Sequence, residues 1–267
     1  KLSPWQRAQL ARHPGRPFAL DYVAGLCTEW TELHGDRAGF DDHAIVSGLA
    51  RFRGRPVAVV GHQKGRKTKE NLVRNFGMAR PEGYRKALRI FRLAHDFGLP
   101  ILTFIDTPGA YPGVEAEANG QAEAIARNIL EMSRLEVPVI TLVAGEGGSG
   151  GALAIGVANR VIMLENSVYS VISPEGCAAI LWRDRSLAER ASAALRITAR
   201  DCFDLGVCDE VLPEPFGGAH RHRDEVIASV GDAIARHLAE LDGLDRAQLR
   251  DDRLARFRRI GRFVEQA

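Results

Sequence analysis

The chain has 267 residues, 45% of them hydrophobic and 26% charged, with a net charge of +2. Such a composition suits a soluble globular protein with room for one large core or two small ones, and the near-neutral charge argues against a protein that coats nucleic acid. No stretch approaches the roughly 18 apolar residues of a membrane span, and the polar start Lys1-Leu2-Ser3-Pro4 lacks the apolar centre of a signal peptide.

The four cysteines, Cys27, Cys177, Cys202 and Cys208, form no C-x-x-C pair. They read as reduced thiols of a cytoplasmic protein rather than a zinc site or a disulfide framework. Lys1 is not an initiator Met, so a start further upstream is expected. Lysine occurs only at Lys1, Lys64, Lys67, Lys69 and Lys86, against an arginine-rich background. A cluster of three in one loop therefore stands out from surface filler.

In chain order, residues 1–43 read as a polar arm with an amphipathic helix from Leu20 to Leu33, its apolar members Tyr22, Val23, Leu26, Trp30 and Leu33 at helical spacing. The arm suits packing or partner binding. Ala44–Arg53 and Arg55–Gly61 form a hairpin turning at Arg53-Gly54-Arg55, with Val57–Val60 as the buried strand. That strand feeds the basic loop Gly61–Lys69, which is suited to an anion or a polarised oxygen. His62 in it reads as a structural hydrogen-bonder rather than a general base.

Asn75-Phe76-Gly77 and Pro81–Tyr84 read as a loop ahead of a helix running to about Phe97, stopped by Gly98 and Pro100. Ile101–Ile105 is a buried strand ending in Asp106-Thr107-Pro108-Gly109-Ala110-Tyr111-Pro112-Gly113. Asp106 is a possible acid or base, but an Asp before Thr-Pro-Gly more often accepts backbone N–H groups. One long helix is expected from Glu115 to Glu136.

Pro138–Ala144 is a continuous apolar, β-branched run, the signature of a parallel strand covered on both faces. Gly145-Glu146-Gly147-Gly148-Ser149-Gly150-Gly151 then opens a small-residue helix. Helix-start amides are unpaired and partly positive, so this turn suits something negative. Two chemistries fit it. Gly145–Gly150 satisfies G-x-G-x-x-G, and Glu165 ends the next strand, Arg160–Leu164, as a dinucleotide site requires. The same amides also form an oxyanion hole. A P-loop is excluded, because no Lys-Ser/Thr follows the last glycine.

Val168–Ile172 adds strand, and Ser173-Pro174 caps a helix whose Cys177 has no dedicated base nearby. Leu187–Leu195 and Thr198–Leu205 are helices, and Val207–Leu212 is a short apolar run. His220 and His222 lack ligand-spaced partners and read as a basic loop. Asp224–Leu241 and Asp245–Phe263 are terminal helices. The alternation of strand and helix argues one α/β domain with helical extensions.

Gly61–Arg66, Asn75–Gly77, Pro81–Ala87, Asp106–Gly113, Gly145–Ala154 and Ser170–Cys177, in this order and at these intervals, resemble the carboxyltransferase α subunit of bacterial-type acetyl-CoA carboxylase. The likeness runs from about Trp5 to about His220. It implies a crotonase-like fold of repeated ββα units over residues 44–215, flanked by a helical arm (1–43) and a helical extension (216–267). It also implies an α2β2 assembly with a carboxyltransferase β subunit that carries a zinc ribbon, working with a biotin carboxyl carrier protein and biotin carboxylase, with no nucleic acid or membrane required.

Nothing is expected to be bound covalently. Carboxybiotin on the carrier and acetyl-CoA enter as substrates, and malonyl-CoA leaves, the first committed step of fatty acid synthesis. By position in the motifs, Gly150 and Gly151 are the oxyanion donors, and Gly109 and Ala110 line the same pocket. Gly148, Ser149 and Tyr111 belong to the binding surface, and Lys64 and Arg66 are expected to anchor negative charge on CoA or carboxybiotin.

Overall fold

The computed structural model describes residues 2–261. Helix α1 (Pro4–Ala11) starts behind Ser3, whose hydroxyl accepts the Gln6 amide while the Gln6 side chain accepts the Ser3 amide. Helix α2 (Ala19–Leu26) runs straight into strand β1 (Cys27–Glu32). Strands β2 (Ile45–Phe52) and β3 (Arg55–His62) form the expected hairpin. It turns on Arg53 and Gly54, both with positive φ, as a two-residue turn between twisted strands requires.

There follow α3 (Thr68–Val73), α4 (Pro81–Phe97), β4 (Ile101–Thr107), α5 (Val114–Ala118), α6 (Gln121–Arg134), β5 (Val139–Gly148) and α7 (Ser149–Leu153). The last third holds β6 (Arg160–Leu164), β7 (Val168–Ser170), α8 (Pro174–Trp182), α9 (Ala188–Leu195), α10 (Ala199–Asp204), β8 (Glu210–Leu212), α11 (Arg223–Leu241) and α12 (Arg246–Arg258).

Several of these elements differ from the sequence reading. The helix expected over 20–33 stops at Leu26, because Cys27–Glu32 pairs antiparallel with β2. Its Thr28 and Thr31 favour strand, and Gly48 opposite lets the two backbones close: a Cβ there would lie 2.2 Å from the Thr31 carbonyl oxygen. The helix expected over 115–136 is two, broken where Gly120 takes φ +83°. Pro81–Tyr84 belongs to α4 itself, with Pro81 in its first turn. The final helix ends at Arg258, and Phe263, where it was expected to stop, lies outside the described residues.

One sheet runs β1-β2-β3-β4-β5-β6-β8, and β7 pairs with the far end of β5. β3, β4, β5, β6 and β8 are parallel. Each central strand alternates between two cores, as a sheet covered on both faces must. Ala58, Val60, Ile101, Ile105, Val139 and Val143 meet α4 and α6 on one side. Val57, Val59, Leu102, Phe104, Ile140 and Leu142 meet α2 and α11 on the other. The arm and the C-terminal helices thus complete the second core.

Between Ile105 and Thr107 the β4–β5 ladder slips: Ile105 pairs with Val143, but Thr107 pairs with Gly147. β5 bulges over this gap, and its end stays paired with β4 on one side while Glu146–Gly148 pairs with β7 on the other. Both glycine-rich turns therefore sit side by side at the carboxyl ends of neighbouring parallel strands, where such folds gather ligands.

Candidate active site

Most glycines of the 145–151 segment answer to protein rather than to ligand. A Cβ at Gly145 would stand 2.5 Å from Asp106 Oδ1, one at Gly147 2.7 Å from the Tyr169 ring, one at Gly148 2.2 Å from the Pro108 carbonyl oxygen, and one at Gly151 2.5 Å from the Ala110 amide nitrogen. Only Gly150 faces room, with Ile125 nearest at 3.5 Å. The strand reaches that bend through Ser149, a non-glycine residue at φ +51°. A strained residue of this kind persists only where its surroundings hold it, and such residues concentrate at functional bends.

Gly150 and Gly151 stand in the first turn of α7, where amides have no intrahelical acceptor, whereas Ser149 directly follows Gly148, which is paired with Ser170 of β7. Gly151 is buried behind the bend, whereas Ser149 and Gly150 are part-exposed. They form a wall shared by two cavities. One, about 340 Å³, is mainly apolar and is lined by Leu153, Tyr169, Val171, Val207 and Phe257. The other, about 450 Å³, is lined by Pro108, Gly109, Ala110, Tyr111, Gln121 and Ile125.

The opposing turn is held by its own side chains. Thr107 Oγ1 donates to the Gly109 carbonyl at 2.7 Å and accepts the Gly109 amide at 3.1 Å. The Gly109 N–H is thereby occupied, and the residue lines the cleft as shape, its φ of +150° being one that glycine tolerates. Ala110 has no such partner among the described residues. Tyr111 is fixed through its amide to the Ala79 carbonyl, its own carbonyl to Gln121 Nε2 at 2.9 Å, and its ring under the Arg80 guanidinium.

Lys64 and Arg66 lie away from both cavities. Lys64 Nζ donates to Asp106 Oδ1 at 2.7 Å and to Glu146 Oε2 at 3.1 Å. Arg66 holds the N-terminal arm, donating to Asp21 Oδ2 at 2.6 Å and to the Pro14 carbonyl at 2.8 Å, with its guanidinium over Phe18. Asp106 is structural, as preferred, but the amide it accepts is that of Glu146 on β5, at 3.0 Å. His62 is fully buried and neutral: burial, and then the Lys64 charge, push its pKa down to about 3.

The dinucleotide reading loses its physical basis. Gly145 and Gly147 are inside β5 rather than in a turn, and α7 has only five residues. Glu165 is engaged by Arg7 and by the Glu214 amide. What sequence reasoning missed is Glu146, treated as a spacer within the fingerprint. It is 8% exposed, and it takes Arg12 Nε at 2.6 Å as well as Lys64. An acid ending an apolar strand needs a buried cation, and the isolated lysine cluster was the signal that could have supplied one.

A family model described as acetyl co-enzyme A carboxylase carboxyltransferase-like matches residues 1–261. The acetyl-coenzyme A carboxylase carboxyl transferase subunit alpha of Geobacter sulfurreducens is 60% identical over 264 residues, covering 99% of this chain and 83% of that one. A counterpart in Thermus thermophilus is also 60% identical, covering 99% of this chain and 85% of that one.

Among solved structures, transcarboxylase 12S superposes with a TM-score of 0.70 at 22% identity, covering 86% of this chain and 42% of that one. A Pseudomonas malonate decarboxylase hetero-tetramer in complex with coenzyme A gives 0.66 at 22% identity, covering 82% of this chain and 90% of that one. These likenesses carry the fold, which is the crotonase-like α/β fold expected. With a donor turn at the carboxyl end of a parallel sheet and whole-chain similarity of this degree, the chain belongs to the family of acetyl-CoA carboxylase carboxyltransferase α subunits.

Proposed function

We propose that this chain holds carboxybiotin while its carboxyl group passes to acetyl-CoA, giving malonyl-CoA. In that transfer the bond between the biotin ureido nitrogen and the carboxyl carbon breaks, its electron pair staying on nitrogen, and the ureido oxygen gains negative charge. The methyl group of acetyl-CoA gives its proton to that nitrogen, and the resulting carbanion forms the new bond to carbon dioxide. No strong side-chain base is required, which accords with a site rich in backbone donors.

The observation that carries the reading is the helix-start amide of Gly150 on the wall shared by two cavities. Gly150 is the donor to the ureido oxygen, and Ser149 beside it lines the same wall. Gly151, Gly109 and Ala110 keep the two turns in contact and shape the pocket, with Tyr111 and Gly148 at its edge. A β subunit of the same family supplies the corresponding donors for the thioester oxygen and brings the zinc ribbon. The carrier protein delivers the biotin that biotin carboxylase has loaded.

The test is reconstitution. Mixing the chain with a family β subunit, carboxylated carrier protein and acetyl-CoA yields malonyl-CoA, and either subunit alone yields none. Absence of product from the complete mixture, or calorimetric binding of NAD or NADP by the chain, overturns the proposal.

A further inference from the structure

Two sequence motifs with no part in the donor turn, Gly61–Arg66 and Asn75–Gly77, meet behind it. Asn75, Phe76 and Gly77 take φ of +44°, +56° and +79° in succession. This left-handed run is costly for its first two residues and survives only if held in place. It lays Gly77 on the stem of Lys64: a Cβ on Gly77 would stand 2.9 Å from Lys64 Cγ and 3.0 Å from the Asp106 carbonyl oxygen.

The ammonium so clamped has a side chain only 13% exposed and two carboxylates in reach. Asp106 Oδ1, which accepts it, also accepts the Glu146 amide at the slip of the β4–β5 ladder. Gly145 beside it leaves no space for another group. The Glu146 side chain continues the chain of charges to Arg12, the residue that caps α1, whose guanidinium reaches Glu175 in the first turn of α8 at 2.5 Å. Burial alone would drive Lys64 to its neutral form, but Asp106 and Glu146 outweigh it and hold the lysine charged. For Glu146, burial is likewise outweighed by Lys64 and Arg12.

We infer that Lys64 is a positioning residue: by holding the Asp106 carboxylate beneath the β5 bulge it sets where the Gly150 amide stands, and it touches no substrate itself. Its effect on turnover rests on the transferase reading above. Its effect on the strand does not.

Lys64→Met keeps the stem and removes the charge, leaving two buried carboxylates facing one another. In the chain alone, amide hydrogen exchange across residues 142–151 becomes faster. In the reconstituted complex kcat falls about ten- to a hundredfold, while KM for acetyl-CoA stays within about twofold. Adding Asp106→Asn removes the excess charge yet keeps an oxygen for the Glu146 amide, and it returns exchange towards the wild-type rate with partial recovery of kcat.

Unchanged exchange in Lys64→Met overturns the inference, as does a raised KM at unchanged kcat, which would put the ammonium on substrate. If Lys64→Met does not fold, a folded double variant with wild-type exchange supports the inference, and an unfolded one sinks it. A wild-type complex without turnover defeats the transferase reading alone, since exchange is read on the isolated chain.

Discussion

Among the described residues, Arg16 and Glu214 form the most secluded ion pair, both side chains fully buried. Arg16 Nη2 stands 2.7 Å from Glu214 Oε1 and also donates to the Ala144 carbonyl at the start of the β5 bulge. Burial alone would raise the Glu214 pKa, but hydrogen bonding to Arg16 and its charge bring it below the ordinary carboxylate range. A group depressed in the folded state contributes stability that is present above its unfolded pKa and lost as pH falls through the folded value.

Unfolding followed by denaturant is therefore expected to show wild-type stability dropping on acidification below about pH 4. Arg16→Met leaves a buried carboxylate uncompensated. It should cost roughly 3 to 5 kcal/mol at neutral pH, and the variant should gain stability on mild acidification as Glu214 takes a proton. The same downward slope in both proteins would contradict this account. None of it was legible in the sequence, because Arg16 and Glu214 are nearly two hundred residues apart and only the fold brings them together.

At the scale of the element, the glycines of β5 and its bend divide into two classes that mutation separates. Gly148→Ala sets a methyl against the Pro108 carbonyl and should destabilise the chain by about 1 to 3 kcal/mol. Gly150→Ala places its methyl in ordinary contact with Ile125 and should leave thermal unfolding nearly unchanged while narrowing the cleft. Equal loss of stability in both would refute the division. The strand and the bend were readable from the apolar run and its small residues. Which glycines serve packing was not, because the close approach is to Asp106 of β4, to Pro108 and Ala110 in the turn after it, and to Tyr169 of β7. The same limit explains β1: its spacing suits a helix, and pairing with an open edge of the β2–β3 hairpin decides otherwise.

For the whole molecule, α12 is locked by Arg253, which is fully buried and donates to the Met132, Leu135 and Val137 carbonyls and to Asn159 Oδ1. Burial lowers its pKa to about 10, so it stays protonated at neutral pH. Arg253→Met strands several buried carbonyls and should cost roughly 3 kcal/mol or more, with faster hydrogen exchange at the end of α6 and along α12. Slow exchange retained in α12 would show that its apolar contacts suffice.

The order of strands and the two-sided core were legible from runs such as Val57–Val60 and Ile101–Ile105. The joining of arm and tail into one core was not, since Tyr22 and Val230 carry no mark of sharing it.

The central claim, that the helix-start amide of Gly150 holds the charge that develops during transfer, is tested most directly by kcat of the reconstituted complex carrying Gly150→Pro, which deletes that N–H where the backbone has room. With assembly verified by sedimentation, malonyl-CoA formation is expected to fall about a hundred- to a thousandfold, the effect of losing one oxyanion donor. An assembled complex turning over at the wild-type rate would contradict the claim.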